Sequence, residues 1–335
     1  METAALQLSL PVVRAELVDR RDRLTRVISD VADPAPLVRL LGEVDRALAD
    51  VDAGTFGLCE VCHDAIEAER IVDDPLIRTC LGCLSDAQRR ALERDLDLAS
   101  RVQRLLLPPE TVRVDGWEAA YIYQPAGVAS GDYIDLVPLD SGDLIFLVGD
   151  VSGKGLAASM LMTHLHATVR SLVNLRLPFE ELLARTNRMF YDSVGANQYA
   201  TLLVGRAATN GDVTIANAGH CPPVVLGSER AAVLPPTSVP IGLFADAPFP
   251  TEAITLARGD TLIVYTDGVS EATDPAGHEY GAERLIVAAA RRGLVAPRAL
   301  VDDCLADLER FRGAAERCDD VTLFALRRSH GQTIG

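Results

Sequence analysis

The sequence predicts an α+β fold: a sandwich of two antiparallel sheets flanked by helices, preceded by a helical hairpin and a small C4 zinc finger. Three observations predict it. Short apolar strands from 117 onward come in runs separated by pairs of helices, the pattern of packed sheets with helices outside. Several of these strands end in an aspartate followed by a Gly-containing turn. Cys59, Cys62, Cys80 and Cys83 form two C-x2-C pairs with seventeen residues between them, the spacing of a structural zinc site.

Each element has its own signal. Residues 12–29 read as a charged helix, broken by Asp30-Val31-Ala32-Asp33-Pro34-Ala35-Pro36. A second amphipathic helix over 37–51 completes an αα-hairpin. The four cysteines follow, with four thiolates closing a tetrahedron and leaving no open position for catalysis. A finger this small depends on its metal to fold. From 84 to 107 one helix runs uninterrupted to Pro108-Pro109, with Leu84, Ala91, Leu98 and Leu105 at seven-residue spacing. The expected domains are therefore 1–53 (hairpin), 54–84 (finger), 85–115 (linker helix) and 116–330 (sandwich).

Within the sandwich, 117–124 reads as the first strand. Residues 132–139 and 144–151 read as a hairpin joined by Asp140-Ser141-Gly142. That register sets Asp132 opposite Asp150, with Cβ atoms roughly 4.5–5.5 Å apart. Two carboxylates that close need cations between them, or one must stay protonated. Helices are expected over 155–175 and 178–194, and strands over 199–205, 212–217 and 223–226. Residues 253–256 and 261–266 read as a second hairpin around Arg258-Gly259-Asp260. Helices over 282–292 and 297–311 precede a last strand over 321–326.

The aspartate pattern recurs. Gly142-Asp143 leads a strand to Asp150, and Gly259-Asp260 leads another to Asp267 at the same offset; Asp319-Asp320 precedes the last strand. An all-oxygen set without His or Cys suits Mg²⁺ or Mn²⁺ rather than zinc. His164 and His166 read as helix-face residues, and His220 as part of a structural turn.

Five blocks then occur in order: Ser130-Gly131-Asp132-Tyr133-Ile134-Asp135, Gly149-Asp150-Val151-Ser152-Gly153-Lys154-Gly155, Asn217-Ala218-Gly219-His220, Tyr265-Thr266-Asp267-Gly268-Val269-Ser270-Glu271-Ala272 and Asp319-Asp320-Val321-Thr322. Together they resemble the bacterial PPM phosphatases of the SpoIIE/RsbU type, relatives of the PP2C serine/threonine phosphatases. The resemblance implies a PP2C-like sandwich and two Mn²⁺ or Mg²⁺ ions. These would be held by Asp150, Asp267 and Asp319 with the Val151 carbonyl, Asp132 contributing directly or through water. Asp319 and Asp320 both remain open at the last position. The implied substrate is a phosphoserine or phosphothreonine on a STAS-type anti-sigma-factor antagonist, and the helix over 85–107 is expected to dimerise and to switch activity. Residues 54–83, with Phe56, Gly57, Ile66, Arg70 and Pro75 around the cysteines, resemble the DksA/TraR C4 zinc finger. Asp30-Val31-Ala32-Asp33-Pro34-Ala35 matches that family's D-x-x-D-x-A tip, which makes RNA polymerase an alternative partner. The competing function is then a non-enzymatic transcription regulator.

Composition bounds the rest. A net charge of −16 argues against a nucleic-acid or anionic-membrane surface. No run of eighteen apolar residues predicts a membrane span. The first residues lack the basic region of a signal peptide. Four clustered and three scattered cysteines are metal-site usage in a reducing compartment, so a cytoplasmic protein is expected.

Overall fold

A computed structural model describes residues 2–28, 34–194, 198–228, 231–293 and 295–329. The Asp30 to Asp33 tip pattern lies outside the described residues. The chain forms two compact units, Met1–Asp95 and Leu96–Gly335. No helix among the described residues is long and apolar enough to cross a membrane.

In the first unit, α1 (Glu2–Ile28) and α2 (Ala35–Ala53) pack through Val13, Leu17, Val44, Leu48 and Val51. α1 starts ten residues earlier than the sequence predicts, because Pro11 lies inside it instead of ending the helical run. Gly54, at φ 72°, closes α2 by turning its amide back to the carbonyls of Asp50 and Val51. A short α3 (Ala68–Asp73) and a 3₁₀ turn (Leu81–Cys83) follow around a small core of Cys59, Ile66, Ile71 and Cys80. α4 (Asp86–Leu106) begins with a capping box. In it the Gln88 amide donates to Ser85 Oγ at 3.3 Å, and the Ser85 amide donates to Gln88 Oε1 at 3.0 Å.

The second unit holds two antiparallel sheets. One runs, in spatial order, β1 (Thr111–Val114), β2 (Trp117–Gln124), β11 (Val321–Arg328), β10 (Thr261–Tyr265), β7 (Val224–Leu226) and β8 (Ala231–Val233). The other runs β3 (Asp132–Pro138), β4 (Leu144–Val151), β5 (Ala200–Ala207), β6 (Asp212–Ala218) and β9 (Glu252–Thr255). α5 (Gly155–Val173) and α6 (Phe179–Ser193) cover the outer face of the second sheet through Met162, Leu165, Val169 and Leu183. α8 (Ala282–Arg292) and α9 (Pro297–Arg312) cover the outer face of the first through Leu285, Leu300 and Leu308. A single helical turn, α7 (Asp267–Ser270), follows β10.

The inner faces meet over Ile134, Leu136, Phe146, Val148, Leu262, Val264, Phe324 and Leu326. Phe146 and Phe324 stack across this layer with ring centroids 5.4 Å apart, a contact worth about 0.5–1.5 kcal/mol beyond its buried area. The Trp117 indole donates to Ala208 O at 3.0 Å and ties the sheets at one end.

Three strand readings need correction. β1 and β8 are short partner strands, partly or fully exposed and too brief to show a period. The stretch over 253–266 is not a hairpin. β9 pairs with β6, Asp212 opposite Thr255, whereas β10 pairs with β11 and β7 in the other sheet. β10 is buried along its whole length and needs a partner on each edge, while β9 alternates as a half-exposed edge strand. The short connection crosses between sheets, pinned by the Leu256 amide on Gly211 O and the Gly259 amide on Arg328 O.

Candidate functional site

The β3–β4 register places Asp132 opposite Asp150. Asp132 opens β3 and is 1% exposed. Two threonines from the other sheet reach across to it: Thr266 and Thr322 donate their hydroxyls to its Oδ2 at 2.9 and 2.5 Å. Burial, then the facing Asp150, pushes the Asp132 carboxyl well above the usual carboxylate range. Asp150 is raised to about 8, by burial first and then by Asp267, Asp319 and Asp320. Asp267, at the head of α7, is raised by burial and by Asp319. The two sheets therefore bring their carboxylates together at one end, where burial first and neighbouring carboxylates second raise Asp132, Asp150 and Asp267.

Backbone contacts bring the elements this close. α7 lies against the chain just before β11; a Cβ on Gly268 would sit 1.9 Å from Asp320 O, so only glycine fits there. Gly131 has the same constraint, with a Cβ 2.9 Å from Val151 O and 3.2 Å from Asp150 Oδ1. The Val151 amide donates back to Gly131 O at 3.2 Å.

The adjacent acids Asp319 and Asp320 have different surroundings. Asp320 accepts the amides of Ala126 at 2.7 Å and Gly131 at 2.9 Å, one on each oxygen. Asp319 instead pairs with Lys154 at 2.9 Å. Lys154 Nζ also donates to Cys318 O at 2.6 Å.

Several residues near the site carried no assigned role in the sequence. Lys154 and Glu271 sit inside quoted blocks, which was the available signal. Burial and Asp267 raise Glu271. Cys221 is pushed up to about 12 by burial, with Asp267 and Asp150 adding to it. Gln103 of α4, 5% exposed, clasps Ser130: its amide nitrogen donates to Ser130 O at 2.5 Å and its oxygen accepts the Ser130 amide at 3.0 Å. His220 is fully buried and held near pKa 3, with Nδ1 2.8 Å from Thr201 Oγ1. His166 lies edge-on to Tyr133 and near Asp135, and His164 lies beside Phe190, both on the outer face of the sheet.

The donor set fits hard divalent cations: carboxylates and backbone carbonyls, with Asp132, Asp150 and Asp267 all raised despite the partial offset that Lys154 gives the last two. The four cysteines form a second candidate metal site. Their ligand atoms all lie within 4.8 Å of one another, which no other group of three or more His, Cys, Asp or Glu among the described residues achieves. Cys62 Sγ and Cys80 Sγ are 3.6 Å apart, close to the ~3.8 Å edge of a tetrahedron with 2.3 Å bonds. The Val61 amide points at Cys59 Sγ at 3.5 Å, and His63, at φ 62°, turns the loop back on itself.

Comparison with known proteins agrees with the two-sheet fold. Phosphoserine phosphatase RsbU of Bacillus subtilis is 26% identical over 188 residues, 55% of this chain and 55% of its own length. The chain spans about half the length of the curated relatives it matches. The structure of the RsbU and RsbW domains of Rv1364c from Mycobacterium tuberculosis superposes with a TM-score of 0.58 at 28% identity, covering 68% of this chain and 64% of that one. The SiaA-PP2C domain of Pseudomonas aeruginosa superposes with a TM-score of 0.63 at 18% identity, covering 73% of this chain and 99% of its own, so the sandwich has the PP2C fold. The family model described as Stage II sporulation protein E (SpoIIE) matches residues 140–329, more than half of the chain, and the chain belongs to that family.

Proposed function

We propose that the chain is a metal-dependent protein serine/threonine phosphatase of the RsbU kind. The convergence of Asp132, Asp150, Asp267 and Asp319 from two sheets carries this reading. Two Mn²⁺ or Mg²⁺ ions would be held there by Asp150, Asp267, Asp319 and the Val151 carbonyl, with Asp132 contributing directly or through water. Bound ions of this type activate water as a nucleophile and neutralise the phosphoryl oxygens. The protein fixes the carboxylates: the threonine hydroxyls orient Asp132, and the amides of Ala126 and Gly131 occupy Asp320, which favours Asp319 as the ligand. His220, whose pKa burial lowers to about 3, is not an imidazolium acid near neutral pH.

The test is turnover of an aryl phosphate by the full-length chain with Mn²⁺. Asp267→Asn is expected to lower it by about a hundredfold or more, since metal activation is worth several kcal/mol. Undiminished turnover in that variant with metal present would sink the assignment.

The regulatory parts rest on narrower support. A structural zinc in the Cys59, Cys62, Cys80 and Cys83 cluster predicts one zinc per chain by elemental analysis, lost on Cys62→Ser. A DksA/TraR-type role for this module in regulation predicts that losing the zinc alters turnover. A dimer through 85–107 is supported by Leu98, Val102 and Leu105, all exposed along α4. A monomer by sedimentation at micromolar concentration would remove it. The STAS-type antagonist follows from the RsbU likeness, and a phosphorylated protein of that class is the substrate to assay.

A further inference from the structure

Lys154 is the single lysine in a chain whose other 31 Lys and Arg positions are all arginine. It stands in the glycine turn after β4, beside Asp319, with its side chain 65% exposed. An ammonium differs from a guanidinium in being a compact charge with three rotatable donors on a flexible stem. Here it meets the Asp319 carboxylate on one side and Cys318 O on the other.

Lys154 also forms one wall of a cleft of about 220 Å³ that adjoins the acid centre. That is smaller than the roughly 300–1,000 Å³ of a small-molecule site and suits one amino-acid side chain. Its charged lining is Lys154, Arg312, Arg317, Glu271, Glu316 and Asp319, over an apolar floor that includes Leu308 and Val321. Arg312 and Arg317 are mostly buried and share Glu309, at 4.0 and 3.8 Å. The Nε of each is enclosed without a hydrogen-bond partner. Arg317 is fixed in place by Gln124 Oε1 at 2.6 Å. Glu271 and Asp319 stand at the acid-centre side, close enough to interact, and divalent ions bound there would offset their charge. The remaining charged lining is Lys154, Arg312 and Arg317 against Glu316, a net positive charge that favours an anion.

We propose that Lys154 grips the phosphate of the substrate, and that the cleft it shares with Arg312 and Arg317 receives the phosphorylated side chain. This rests on the phosphatase reading and gives it a phosphate-binding cation, which the sequence blocks left unassigned. A strongly acidic chain otherwise repels a phosphoprotein; a local cluster of cations directs the phosphate to the one end where hydrolysis can occur. The ammonium can pivot from Asp319 to a phosphoryl oxygen without moving the backbone.

The experiment uses the full-length chain with Mg²⁺ and inorganic phosphate as the probe. Acetylation of Lys154 by an amine-reactive ester, read by mass spectrometry, is unambiguous because the chain has no other lysine. Phosphate is expected to slow it severalfold. In ³¹P NMR titrations Lys154→Gln is expected to weaken phosphate binding by about tenfold, the value of one charge-assisted hydrogen bond. Its Mg²⁺ affinity should stay the same or rise, since a cation competing for Asp319 is gone. Arg312→Gln should weaken phosphate binding without changing Mg²⁺ affinity. Equal acetylation with and without phosphate overturns the proposal. So does a parallel loss of Mg²⁺ and phosphate affinity in Lys154→Gln, which would make Lys154 a support for Asp319 only. Absence of wild-type turnover would sink the phosphatase reading alone, because the phosphate-binding arms do not depend on turnover.

Discussion

Asp319 and Asp320 are neighbours in sequence, yet only Asp320 is held by amides from a distant loop. Asp320 accepts two backbone amides and so fastens the loop before β3 to the start of β11. Asp319 accepts only the neighbouring Asp320 amide on one oxygen, at 3.0 Å, and pairs with the exposed Lys154 ammonium on the other. The two residues should therefore separate in mutagenesis. Asp320→Ala is expected to cost about 2 kcal/mol of stability, since hydrogen bonds to a charged group are worth ~1.5–3 kcal/mol and this one is partly solvated. Asp319→Asn should fold normally and lose about tenfold or more in Mn²⁺ affinity, because hard-cation sites are tuned by ligand charge. Thermal melts and metal titrations of both variants check this, and a reversed pattern would exchange their roles. The sequence could not separate the pair. Nothing in an Asp-Asp doublet says which side chain faces a glycine amide from residue 131. The facing of Asp132 and Asp150 was legible, because strand register follows from turn length and alternation.

At the scale of elements, the link from α4 to the acid centre runs through one side chain. Gln103 satisfies both backbone groups of Ser130, which is itself 0% exposed, and Ser130 Oγ accepts the Asp132 amide at 3.0 Å. The helix end is thus hydrogen-bonded to the loop that presents Asp132. Gln103→Ala strands two buried backbone groups, at ~1–3 kcal/mol each, so a loss of about 2 kcal/mol is expected. For a unit of this size that is a fall in midpoint of about 4–8 °C. An unchanged midpoint would show that water fills the gap and that α4 is not coupled to the loop in this way. The helix itself was readable from its period and its Pro-Pro stop, but the clasp was not: Gln103 stands among charged residues and its burial depends on tertiary packing. The same limit explains the misread stretch over 253–266. Two apolar runs with a tight gap resemble a hairpin, and only the need of the buried β10 for partners on both edges sends them to different sheets.

Across the whole molecule, the proposed metal site predicts an exchange of stability for cation binding, and pH exposes that exchange. Asp150 has its pKa raised from 3.8 to about 8, and Asp132 and Asp267 shift in the same direction. A carboxyl raised on folding favours the native state below its unfolded pKa. It loses that contribution as pH climbs through the folded value. With divalent ions chelated, the second unit should therefore become progressively less stable between about pH 4 and pH 8. Bound cations reverse the repulsion, so the gain on adding Mg²⁺ should widen over the same range, following the ligand linkage of a native-state binder. The measurement can be confined to this unit even though a chelator would also strip the zinc proposed for the cysteine cluster. Trp117 is the chain's one tryptophan, 1% exposed in the layer between the two sheets. Its fluorescence reports unfolding of the sandwich and not of the first unit. A Trp117 midpoint independent of pH from 5 to 8 in chelator, or equal with and without Mg²⁺ at pH 8, would mean that the converging carboxylates are relieved by solvent rather than by ions.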